Sequence, residues 1–237
     1  MAAALLAAVA LYLAWNAWTS RNWLGRIADL LERYSPARIY VGWAMAVWLG
    51  FALPAFLGMI LLRRDPFAMP PEFVTEWLTP FPWIGWVFAA TMAVGMALNL
   101  GIALRRRRLG KAPARVLAFP LPKPMRLGET RAPASLALSV GVSEELFFRQ
   151  FLALLVVLVS GSLVAGVLVQ AAANALVYRY RGGRWMVVMA LIGLALSYLY
   201  LVSGSLLLVM AFRVVVAFNR LVIDPIAFWP RAGSSQG

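Results

Sequence analysis

Residues 141–152 read Gly141-Val142-Ser143-Glu144-Glu145-Leu146-Phe147-Phe148-Arg149-Gln150-Phe151-Leu152. Two adjacent carboxylates and a guanidinium stand in an otherwise apolar run, flanked by Ala, Leu and Val on both sides. The run is long enough to cross a bilayer, which takes about 20 residues. Ionisable groups at that depth are costly and mark function by default. In a helix Glu145 and Arg149 share a face and can pair. Glu144 is turned by about 100° and needs another partner.

The composition around this stretch is that of a membrane protein. The 237 residues are 63% hydrophobic, against about 45–50% in soluble domains, and the mean hydropathy is +0.80. Ten Trp and seven Tyr suit interfacial belts. The chain has neither histidine nor cysteine. Imidazole and thiolate are therefore excluded as metal ligands, and imidazole as a general base. The net charge of +13 lies in short runs between apolar segments, which fits positive-inside topology better than nucleic-acid binding.

Seven spans are predicted, near 1–18, 41–62, 83–104, 134–159, 163–178, 185–201 and 206–223. Pro54 inside the second span is a candidate kink. Residues 21–35 carry Trp23, Leu24, Ile27, Leu30, Leu31 and Tyr34 at helical spacing. They read as an amphipathic helix at the interface or as a connector packed on the bundle. The basic connections are 21–38, 105–131, 179–184 and the C-terminal end. They alternate with the N-terminus, 65–82, 160–162 and 202–205, which lack excess positive charge. That pattern predicts an outside N-terminus and a cytoplasmic C-terminus. The chain divides into an N-terminal part, 1–133, a four-span core, 134–223, and a polar tail, 224–237. The quadruple arginine 105–108 reads as a topology anchor.

Other polar groups fall inside the core spans: Gln170 and Asn174, one turn apart, and Arg213 in LLLVMAFRVVVAFN. With Glu144, Glu145 and Arg149 they are expected to converge between the fourth, fifth and seventh spans. Lipid would not hydrate them, so each needs a protein partner.

GVSEELFFRQFL resembles the first motif of the CPBP family of intramembrane proteases, which includes CAAX-processing endopeptidases and bacteriocin self-immunity proteins. That motif is two glutamates, three residues, then arginine. SYLYLVSGSLLL (197–208) resembles the turn before the family's last motif. Counted from it, the family's last histidine falls on Arg213, and the asparagine that follows falls on Ala217. The middle motif aligns as Gln170-Ala-Ala-Ala-Asn174, with asparagine for histidine. The resemblance covers about 134–222. It implies a membrane helical bundle with Glu144, Glu145, Arg149, Asn174 and Arg213 at the family's functional positions.

In the family, glutamates and histidines activate water, with a divalent metal. Here both histidines are replaced, by an amide and a guanidinium. Neither is a useful metal ligand, and arginine does not deprotonate. The expectation is an all-α polytopic bundle, a catalytically inactive homologue in a bacterial inner membrane. It would bind lipid and a membrane-protein partner as a scaffold or accessory subunit, with no metal and no cofactor. Glu145–Arg149 and Glu144–Arg213 would be internal pairs. The alternatives are an active intramembrane endopeptidase with an altered site, and a small transporter. No internal repeat favours the last.

Overall fold

The computed structural model describes residues 1–19, 29–74, 81–109 and 130–223, and no strand occurs among them. Helix α1 is Ala2–Thr19. Helix α2 runs through Pro36–Val47, a wide π turn at Trp48–Ala52, and Leu53–Leu61. Helix α3 is Pro82–Arg108. Helix α4 is Arg131–Glu145, continued by a π segment at Leu146–Leu152 and by Ala153–Ser160. Helices α5 (Leu163–Val177), α6 (Gly183–Ser203) and α7 (Leu206–Phe218, closing in a π turn at Asn219–Ile223) complete the bundle.

Ala2–Thr19, Pro36–Leu61, Gly85–Ile102, Gly183–Ser203 and Leu206–Ile223 are long and apolar enough to cross a membrane. Length and composition therefore give five candidate spans among the described residues, where seven were predicted. The other two helices depart for identifiable reasons. Helix α5 is apolar but shorter, and α4 carries Glu144, Glu145 and Arg149 in its middle. Outward-facing Leu11, Trp15, Leu57, Leu98, Leu191 and Leu207 give the bundle an apolar surface that suits lipid.

Pro54 does not break α2. The π turn ends two residues before it, and a wider turn relieves the clash between the proline ring and the preceding carbonyls. Of the amphipathic stretch 21–35, residues 20–28 lie outside the described part. Residues 29–33 are helical, and Leu30 and Leu31 pack against the core formed by Ile39, Tyr40, Leu136 and Leu221. This end of the stretch is thus a connector packed on the bundle. The basic segment 110–129 and the tail 224–237 also lie outside the described residues.

The two hairpins of the core, α4–α5 and α6–α7, are closed by the same four residues, Ser-Gly-Ser-Leu, at 160–163 and 203–206. Gly161 and Gly204 end their helices at φ of +68° and +67°, a conformation that glycine adopts without steric cost. Ser162 and Ser205 then cap the next helix, accepting from the amides of Ala165 at 3.2 Å and Leu208 at 3.3 Å. Both turns lie at one end of the bundle, and the basic 179–184 connection lies at the other.

Helices α4 and α7 come into close backbone contact at Gly141. A Cβ there would lie 2.6 Å from the Val214 nitrogen and 2.8 Å from its Cα, so only glycine permits this approach. Arg213 precedes Val214, and Glu144 and Glu145 follow Gly141 by about one turn. The close contact therefore brings the guanidinium to the carboxylates. Beside them Phe51, Phe147 and Phe148 form an aromatic core, with ring centroids 5.1–5.5 Å apart.

Candidate functional site: a closed ring of buried charges

Glu144, Glu145, Arg149 and Arg213 are all buried, with Glu145 and Arg149 fully enclosed. Arg149 Nε lies 2.8 Å from Glu145 Oε2, the pairing expected one turn apart on α4. Glu144 finds its partner across the bundle, where Arg213 Nη2 donates to its Oε2 at 2.7 Å. Arg213 Nε also lies 3.7 Å from Glu145 Oε1. Two carboxylates and two guanidiniums thus form one contiguous, charge-balanced network. Balance is what makes its burial tolerable, because an unpaired ion in a medium of low dielectric costs several kcal/mol.

Tyr178, which follows α5, closes the network from the side of the basic connection. Its hydroxyl donates to Glu144, 2.7 Å from Oε1 and 3.0 Å from Oε2, and accepts from Arg213 Nη2 at 3.0 Å. Arg213 Cζ also stands 5.8 Å from the Tyr178 ring centroid. Glu144, Arg213 and Tyr178 therefore form a closed hydrogen-bonded ring with groups from α4, α7 and the end of α5.

Gln170 and Asn174 depart from the expected arrangement. They are turned towards α6, a helix that the sequence reading left out of the cluster. Gln170 Nε2 donates to Ser197 Oγ and to the Val167 carbonyl. Asn174 is fully buried and lies against Gly193, where a Cβ would be 3.5 Å from its Nδ2. Its amide has no hydrogen-bond partner among the described residues. The hydrogen bonds of Gln170 thus tie α5 to α6, and Asn174 is packed on the same side.

Two contributors escaped the sequence reading. Tyr178 is signalled by spacing, since Gln170, Asn174 and Tyr178 recur every four residues and so share a face of α5. Gln150 is a polar residue in the same apolar run as the carboxylates. It is fully buried, accepts from the Tyr200 hydroxyl, and donates to the carbonyls of Asp65 and Ala68. Those bonds anchor the segment after α2. There Arg64 pairs with Glu72, and Phe73 is buried with its ring centroid 6.1 Å from that of Tyr200. This segment closes the bundle at the end opposite Tyr178.

These donors do not suit a divalent metal. The oxygens of Glu144 are taken by a guanidinium and a phenol, and Glu145 lies between two guanidiniums. A guanidinium offers no lone pair and repels a dication. Among the described residues no group of three His, Cys, Asp or Glu side chains is placed to hold a metal. Chemically, the network stores charge and links helices.

Residues 131–218 match the family model described as Rce1-like, the type II CAAX prenyl endopeptidase Rce1-like family. The match runs from the first turn of α4 to the end of α7. It starts three residues before the predicted boundary at 134. No curated protein and no solved structure matches the chain.

Proposed function

We propose that this protein is a binding member of the intramembrane-protease-type fold. It would hold a membrane-protein partner as a scaffold or accessory subunit and would not cleave it. One observation carries the reading: Arg213, which the resemblance aligns with a family histidine, is bonded to Glu144 at 2.7 Å. A guanidinium there substitutes for the metal electrostatically, through a charge-assisted bond. The carboxylates are then spent on holding α4 to α7. The absence of any histidine from the sequence supports the same reading.

The test is purification from a mild detergent, with identification of co-purifying chains and an assay on a prenylated peptide. A stoichiometric membrane-protein partner is expected, with no peptide cleavage above that of a Glu144→Gln/Glu145→Gln control. Cleavage by the wild type that the control lacks would overturn the proposal in favour of an active endopeptidase.

For orientation we propose an outside N-terminus and a cytoplasmic 179–184 connection, on the alternation of basic segments. A single cysteine at Phe67, which is exposed, is expected to react with an impermeant reagent added from outside. Labelling only from the cytoplasmic side would reverse the topology.

A further inference from the structure

Between Tyr178 and Ile223 the chain carries five arginines and not one Asp or Glu. Arg213 is neutralised by Glu144 across the bundle. Two of the others converge on one ring. Arg181 Cζ lies 5.2 Å and Arg220 Cζ 5.0 Å from the Trp185 ring centroid. Two positive groups on one indole are no further apart than the sum of those distances. That is about one Debye length at 0.1 M salt, so screening leaves part of their repulsion. Among the described residues Arg220 has no carboxylate partner. A solvated basic face would splay such side chains apart, whereas here an aromatic residue gathers them.

A separate observation points to an acceptor. The Trp185 Nε1 is buried and has no hydrogen-bond partner among the described residues. Two guanidiniums and an indole N–H therefore come together where the basic connection meets the end of α7. Guanidiniums match the tetrahedral oxygens of phosphate bidentately. The placement suits an interface, because Trp185 lies in the first turn of α6 and Arg220 in the last turn of α7.

We propose that Arg181, Arg220 and Trp185 form a binding site for a phosphoryl anion, either the headgroup phosphate of an anionic lipid or free phosphate. The site is separate from the carboxylate network but adjoins it. Arg181 Cζ lies 5.6 Å from the Tyr180 centroid, and Tyr180 stacks on Tyr178 at 6.3 Å. Tyr178 in turn bonds Glu144. An anion here sits one aromatic stack away from the buried ring.

The test is native mass spectrometry of the delipidated full chain, titrated in parallel with phosphatidylglycerol, phosphatidylcholine and inorganic phosphate. The wild type is expected to bind one phosphatidylglycerol saturably and in preference to phosphatidylcholine. Competition by inorganic phosphate would identify free phosphate as a ligand too, and its failure would assign the site to lipid. Arg181→Gln and Arg220→Gln should each weaken binding about fivefold, as one interfacial arginine does, and the double variant about 25-fold. Arg38→Gln, a basic residue at the start of α2, should change it less than twofold. Failure of the wild type to bind either anion saturably overturns the site whatever the variants do. So does an equal loss in Arg38→Gln, which would mean a diffuse surface potential only. Trp185→Phe keeps the ring and removes the N–H donor. It should weaken binding with no change in thermal midpoint, a result that a merely structural tryptophan would not give.

Discussion

Arg213→Leu is expected to lower the yield of monodisperse protein sharply and to destabilise the fold by about 3–5 kcal/mol, the usual effect of stranding one member of a buried ion pair. The geometry says which second change rescues it. Glu144 would be left with the Tyr178 hydroxyl as its single polar partner, since its remaining bond is the 2.7 Å contact to Arg213. Glu145 would keep Arg149 at 2.8 Å. Adding Glu144→Gln removes the stranded charge and should recover much of the loss. Adding Glu145→Gln leaves Glu144 stranded, strands Arg149 as well, and should make matters worse. Thermal midpoints of the single and the two double variants in one detergent decide this. Equal behaviour of the two doubles would mean that Arg213 does not choose between the glutamates.

Asn174→His combined with Arg213→His is expected to change metal content from none to about one zinc or cobalt per chain. The substitution removes the guanidinium that now lies on Glu144 and puts neutral nitrogen donors at the two positions that the proposed alignment assigns to histidine. Asn174 now packs on Gly193 of α6, while Tyr178, one turn on, bonds Glu144, so the imidazole at 174 has to turn from α6 to the carboxylates to join the set. Two imidazoles with Glu144 or Glu145 make a set suited to a divalent metal. Each single variant should take up much less, since Asn174→His keeps the repelling Arg213 and Arg213→His lacks one donor. Cleavage need not return, because ligands also need outer-shell orientation. Elemental analysis of the four proteins gives the answer. Stoichiometric zinc in the wild type would overturn the binding-only reading, and none in the double variant would overturn the alignment of 174 and 213.

The two expectations share a cause that links fold to function. Gly141 admits α7 against α4 at backbone distance, and this delivers Arg213 to Glu144. A family histidine at 213 would leave the carboxylates available to a metal. An arginine in the same place reaches them directly and satisfies them. On the proposed alignment, arginine in place of histidine at 213 closes the site by its own ions.

Much of this was legible in the chain. Long apolar segments between basic runs read as membrane helices, because lipid leaves the backbone few alternatives. The two Ser-Gly-Ser turns were visible because a left-handed glycine followed by a serine cap is a local device. The Glu145–Arg149 pair followed from helical spacing alone. What the sequence could not supply was the partner of each polar group across the bundle. Gln170 and Asn174 lie on the same polar-spaced face of α5 as Tyr178. Nothing local says that the first two turn to α6 while the third reaches Glu144. That choice depends on how α5 is rotated between its neighbours, which packing over the whole bundle decides. In the same way, the five arginines between Tyr178 and Ile223 could be counted beforehand, but only the antiparallel return of α7 along α6 brings Arg220 to the tryptophan that Arg181 also covers.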